Sequence, residues 1–280
     1  MKFEKTVVNG FEGAFRGLRN PLESWEKSDS VFGIDSEEYF DKDWEIAAAY
    51  IDANEKYDYE EEYDKYYSVQ EKYADWLIKN GILKNQNDCI EYAIIGPKDL
   101  DLAHRMIKAG SSDSKFLRQI NVSVDITAPL YWWKEFDTYK IGTVANSTST
   151  MHKLATTPIT KECFELDDFT NNITITEEDN EEGVFSYFTE DFMNDIINNL
   201  EILRIKYLQT KDKKYWKELI RWLPNGWLQT RTVTLNYAVL RNQYFQRQHH
   251  KLSEWHQYCQ WIESLPYSAD LITYTGKIDK

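Results

Sequence analysis

The chain has 280 residues and carries 33 Lys and Arg against 47 Asp and Glu, a formal charge of −14. That excess of acid argues against a general binder of nucleic-acid polymers, which neutralise phosphates with clustered Lys and Arg, while leaving room for a small local basic pocket. With 42% hydrophobic residues the sequence can bury a substantial core, as one large domain or two ordinary ones, so disorder throughout is not expected.

Ten Trp, 19 Tyr and 13 Phe suit cores, subunit interfaces and sites that stack flat rings, and composition does not choose among these. Cys89, Cys163 and Cys259 are odd in number and widely spaced, with no CxxC pair and no Cys/His cluster. They point to a reducing, cytoplasmic setting. The opening MKFEKTVVNGFEGAFRG lacks an apolar stretch of signal-peptide length, and no window approaches the length of a spanning helix, so no membrane association is expected.

In chain order, three glycines and a proline in GFEGAFRGLRNPLESW read as turns joining short elements. Residues 36 to 80 hold Trp44, Ala47, Ala48 and Ile51 and then Tyr66, Val69, Tyr73, Trp76 and Leu77 at helical spacing, which predicts two helices. The acidic run Asp58 to Asp64 at their junction is either a partner-facing surface or an ordinary solvated face. The apolar run Tyr92 to Ile95 ends at Gly96-Pro97, and a helix is expected over Leu100 to Ala109, stopped by Gly110. Ile120, Val122, Val124 and Ile126 alternate with polar residues and predict a half-buried strand over Gln119 to Ile126. After Pro129 the block LYWWKEF begins a helix ending near Gly142, and TVANSTSTMHK reads as a loop whose hydroxyls cap helices or hold a ligand's oxygens. The stretch 167–183 is acidic and turn-rich, a boundary or loop. Helices are expected around Phe192 to Tyr207 and Tyr215 to Trp222, the latter halted by Pro224-Asn225-Gly226, and a final helical stretch over Thr232 to Leu265.

Candidate chemistry is sparse. No GxSxG elbow, P-loop or GxGxxG occurs. Arg247 offers a guanidinium fork suited to a phosphate or a planar base, or simply pairs with one of the many carboxylates. His249, His250 and His256 lack metal-ligand spacing, and Cys163, beside Lys161, reads as structural rather than nucleophilic. From the residues alone the chain is a mixed α/β or helical protein with an aromatic, hydroxyl-rich central region.

The stretch FDTYKIGTVANSTSTMHK resembles a degenerate signature of the flavin-dependent thymidylate synthases, an Arg-His-Arg triplet followed by Ser-rich positions. Thr138, Tyr139 and Lys140 fall on the triplet, and Gly142, Thr143, Val144, Asn146, Ser149 and Thr150 follow with one residue inserted. Upstream, Leu102 to Gly110 and SKFLRQINVSV repeat the family's helix, glycine and turn into a strand, with Arg118 and Gln119 where Glu-His would stand. Downstream, Ile220 to Pro224 is similar to the family's arginine before a Leu-Pro turn, and Asn236, Leu240, Asn242 and Arg247 match the spacing of its Asn, Leu, Asn and nucleotide-binding Arg on one helix. Met151 and Ala238 stand where the family has arginines. The resemblance spans about residues 100 to 266.

It implies an α+β fold, a small antiparallel sheet flanked by many helices, with residues 1–95 as an acidic, Tyr-rich helical extension and 96–280 as the synthase-like domain carrying the 167–183 loop. It implies FAD bound across the subunits of a homotetramer, methylenetetrahydrofolate and NADPH as co-substrates, and methylation of dUMP or a related pyrimidine nucleotide. Arg247, Ser149, Ser147 and Arg221 would then hold the nucleotide, and Thr138, Tyr139, Lys140, Asn236 and Asn242 the flavin. Either basic residues such as Arg118, Lys134, Lys153 or Arg241 compensate for the missing arginines, or flavin is not bound as in the family. The alternative is a non-catalytic relative that binds a nucleotide or a protein partner.

Overall fold

The computed structural model describes residues 1–34, 91–166 and 189–276. The two helices expected over 36 to 80, the acidic run Asp58 to Asp64, Cys89 and the 167–183 segment lie outside the described residues. Strands β1 (Lys2–Asn9), β4 (Asn121–Pro129), β5 (Val144–Ser147) and β6 (Leu228–Asn236) form a small antiparallel sheet in the order β1-β4-β6-β5. A second sheet pairs β2 (Val31–Ile34) antiparallel with β3 (Glu91–Ile94), Val31 opposite Ile94. The helices are α1 (Phe11–Arg19), α2 (Pro97–Ala109), α3 (Leu130–Phe136), α4 (Thr150–Thr156), α5 (Thr189–Thr210), α6 (Lys213–Arg221), α7 (Tyr237–Arg247) and α8 (Ser253–Glu263). The expected class, a small antiparallel sheet among many helices, is what forms. Among the described residues no helix is long and apolar enough to cross a membrane.

Several boundaries follow from chemistry that a one-dimensional pattern hides. The glycines read as turns near the N-terminus sit largely inside α1, whose Phe11, Ala14, Phe15 and Leu18 bury one face. Gly10, which caps α1 at φ +94°, has to be glycine because a Cβ there would lie 2.2 Å from the Gln119 backbone carbonyl. Helix α2 starts three residues before Leu100, with Pro97 in its first turn and the Asp29 carboxylate accepting from the Lys98 and Asp99 amides at 2.9 and 3.1 Å. Strand β4 keeps the expected alternation, with Val122, Val124, Ile126 and Ala128 all buried. Helix α3 stops at Phe136, well short of Gly142.

The main correction concerns residues 232 to 236, expected as helix and found as the end of β6. In the run Thr230-Arg231-Thr232-Val233-Thr234-Leu235 four of six residues are β-branched, and Val233 and Leu235 are buried at period two. Asn236 then accepts from the Val239 amide at 3.1 Å and so begins α7. The hydroxyl-rich loop likewise contains β5 and α4, the latter capped by Ser149, which accepts from the His152 amide.

The chain divides into two compact units. Unit 1 takes Met1–Glu4, Asp125–Lys140 and Ala145–Thr232. Its core joins Leu154, Ile159, Phe164, Ile197, Leu200, Leu219 and Trp227, with Phe164 and Trp227 edge to face at 5.6 Å. Unit 2 takes Lys5–Val124, Ile141–Val144 and Val233–Lys280. There Phe11 meets Tyr237 and Phe15 meets Phe116, each at 5.8 Å, and the fully buried Tyr237 hydroxyl donates to the Pro266 carbonyl at 2.5 Å.

Candidate functional site

In unit 1 the triplet Thr138-Tyr139-Lys140 follows α3. Thr138 donates to the Glu135 carbonyl at 2.7 Å, the Tyr139 ring meets Phe136 edge-on at 6.3 Å, and Lys140 is exposed. Ser147 ends β5 and is exposed. Ser149 uses its oxygen to cap α4, which leaves its O–H free to donate outward. Arg221, the last residue of α6, pairs with Glu218, whose other oxygen accepts from the Trp222 indole at 2.9 Å.

A buried glutamine ties two of these segments together. Gln229 on β6 donates from its amide to the Thr148 carbonyl at 3.0 Å and the Thr150 hydroxyl at 3.1 Å, on either side of Ser149. Its carboxamide oxygen accepts from Arg231 Nε at 3.0 Å, and its backbone carbonyl accepts from the Trp133 indole at 2.9 Å. Arg231 in turn donates to Asp137, the residue before Thr138, at 2.6 Å and lies 4.2 Å over the Trp133 ring. Trp133, Asp137, Gln229 and Arg231 thus fix the bases of both the triplet and the serine segment. The sequence gives a weak signal for them, alternate Gln229 and Arg231 on a strand, lost once the segment around Thr232 is read as helix.

In unit 2, Asn236 caps α7, and the Asn242 side-chain oxygen accepts from Gln246 at 3.0 Å. The Arg247 guanidinium stacks 4.5 Å over Trp255. Gly142 (φ +72°) presses against the start of α7, where a Cβ would come within 2.9 Å of Val239 and 3.3 Å of the Asn236 amide nitrogen. The neighbouring Thr143 hydroxyl is buried with no hydrogen-bond partner among the described residues. Of the basic residues expected to compensate for the missing arginines, Arg241 is committed to the Ile272 carbonyl at 2.6 Å and burial holds its pKa down. Lys134 donates to the Asn225 side chain at 2.6 Å, whereas Arg118 and Lys153 are exposed.

No family model matches the chain, and no curated protein does. Solved structures do. The flavin-dependent thymidylate synthase ThyX of Helicobacter pylori, complexed with FAD and dUMP, aligns over 97% of this chain and 98% of its own, with a TM-score of 0.54 at 14% identity. A second structure of that enzyme with FAD and dUMP gives 0.52 at 15% identity over 97% of each chain. A UMP/dUMP methylase, PolB of Streptomyces cacaoi, bound with 5-Br UMP, aligns over 66% of this chain and 86% of its own, with a TM-score of 0.43 at 14% identity. The fold is that of the flavin-dependent thymidylate synthases, as the signature in FDTYKIGTVANSTSTMHK implied.

Proposed function

We propose that this protein is a flavin-dependent nucleotide methylase that transfers a one-carbon unit from methylenetetrahydrofolate to dUMP or a related pyrimidine nucleotide, with NADPH as the source of reducing equivalents. The observation that carries the reading is the fold likeness, which runs through nearly the whole of both chains rather than through one motif. The chain's polar groups are of the right kind for FAD: an exposed ammonium at Lys140, a hydroxyl at Thr143, a phenol at Tyr139, carboxamides at Asn236 and Asn242, and at Thr138 a hydroxyl oxygen left to accept. When bound, the flavin supplies the redox chemistry, which no side chain here provides.

The remaining work falls to this chain. Lys140 neutralises phosphate charge as a single ammonium, with less directional grip than the guanidinium it replaces. Ser149 donates its free O–H to a phosphate oxygen, Ser147 adds a second hydroxyl, and Arg221 and Arg247 supply guanidinium groups for the nucleotide. The Gln229 and Arg231 bonds hold the serine segment and the triplet in place before any ligand arrives, so little ordering is left for binding to impose.

The test is an absorbance spectrum of the full chain before and after incubation with FAD and desalting, then mass spectrometry of dUMP incubated with the protein, FAD, methylenetetrahydrofolate and NADPH. A retained flavin band and a nucleotide heavier by one methylene are expected. A protein that stays colourless with FAD would overturn the reading and leave a non-catalytic relative.

A further inference from the structure

Unit 2 contains a cavity of about 390 Å³ between the end of α1 and the start of α2, lined by Arg19, Lys27, Pro97, Lys98, Asp101, Leu102 and Arg105. Four of its seven lining residues are cationic, in a chain whose overall charge is −14. One acid, Asp101, shares the wall, and it already engages Arg105 Nε at 3.0 Å, leaving the two terminal nitrogens of that guanidinium unspent on it.

Arg19 is the fixed point. It is 6% exposed, and its Nε is held at 2.5 Å by the buried Asp99, which also accepts from the Ser28 and Ser30 hydroxyls. Nη1 leans on the Ser24 carbonyl at 3.4 Å. A long side chain locked this way loses little entropy on meeting an anion. Lys27 and Lys98 have no ion pair among the described residues and sit at the exposed rim. The first amides of α2 play no part, since Asp29 occupies them.

We propose that this cavity binds a phosphate-bearing small molecule, with Arg19 and Arg105 as forked donors and Lys27 and Lys98 as point charges. Guanidinium nitrogens suit phosphate oxygens, and with Arg19 countered by Asp99 and Arg105 by Asp101, the two rim lysines leave the wall net positive, which suits an anion. The volume exceeds what one phosphate fills and falls in the range of small-ligand sites, and Pro97 and Leu102 offer apolar wall to a carbon body. The inference is independent of the proposed methylase chemistry and stands if that fails.

The probes are inorganic pyrophosphate and ADP, titrated calorimetrically into the full chain. Wild type should bind both, ADP more tightly if the apolar wall is used and equally if the natural ligand is a free polyphosphate. The double variant Lys27→Glu/Lys98→Glu should weaken pyrophosphate by about tenfold or more, while Lys217→Gln, an exposed lysine on α6 with no part in either site, leaves it unchanged. If the charge reversal costs folding, seen as a lost thermal transition, Lys27→Gln/Lys98→Gln serves with the same expectation. No binding to wild type, equal binding by the double variant, or an equal loss in Lys217→Gln would each overturn the proposal.

Discussion

The guanidinium of Arg231 lies 4.2 Å over the Trp133 ring while its Nη1 reaches Asp137 at 2.6 Å. Only 15% of the Arg231 side chain is exposed, so the stack is largely sheltered from water. Arg231→Lys keeps the charge and loses both the planar stack and the second donor to Gln229. Stability should fall by about 1 kcal/mol, and by about 2 kcal/mol for Arg231→Ala. Urea unfolding with an unchanged slope would measure it; a midpoint equal to wild type in the alanine variant would show the cluster to be ornamental.

Lys140 separates binding from stability. It is exposed, and Lys140→Ala should leave the unfolding midpoint within about 0.5 kcal/mol of wild type. On the methylase reading the same variant should retain at least about tenfold less FAD after desalting, the loss of one charge-assisted contact. Equal retention would remove Lys140 from the flavin site.

How much was legible varies with where the information resides. The alternation of Val122, Val124 and Ile126 encodes its own strand, and the apolar spacing of Phe192 to Tyr207 its own helix. The start of α2 depends on Asp29, far away in sequence, and Gly10, at the start of α1 with φ +94°, leaves no room for a Cβ beside the Gln119 carbonyl. No local window contains those partners. At the candidate site, the resemblance singles out the triplet and the serine segment but not the residues that brace them, because Gln229 and Arg231 gain meaning only when β6 is a strand that faces Trp133 and Thr148.

Asp99 is wholly buried and accepts from Arg19, Ser28 and Ser30. Asp99→Asn leaves a buried guanidinium without its countercharge and should cost about 3–5 kcal/mol. Replacing both partners by apolar residues, Arg19→Met/Asp99→Leu, should recover much of that loss. Denaturant midpoints of the two variants decide it; a double variant no better than Asp99→Asn would refute an uncompensated charge as the cause.

The cysteines should differ in reactivity. Cys259 is buried on α8, and burial, then the nearby Glu263 carboxylate, push its thiol up to about 11. Cys163 is partly exposed at the end of a short 3-10 turn. In a Cys89→Ser background, a thiol reagent at mildly alkaline pH should label Cys163 quickly and Cys259 only after denaturant is added. Peptide mapping of the labelled protein reads the order directly, and rapid labelling of Cys259 in the native state would contradict it.

His104 on α2 gives the clearest pH signature. Its ring stacks on Tyr274 at 3.8 Å, and Nε2 is buried 3.8 Å from an Asp270 carboxylate oxygen, too far for a hydrogen bond. Burial lowers the His104 pKa below 6.5, against the opposing pull of Asp270, with Lys108 adding to the depression and Asp101 working against it. The unfolded chain therefore takes up the proton first as pH falls. His104 contributes no penalty above 6.5 and an increasing one below it, until the folded-state pKa is passed. Asp270 works in the opposite sense, since burial raises its pKa above 3.8: its contribution is favourable below that value and is lost as pH rises through the folded-state pKa. Thermal melts between neutral pH and mild acid should show wild type losing stability just below 6.5, and His104→Gln losing less over the same interval. Parallel curves for the two proteins would place the acid sensitivity elsewhere.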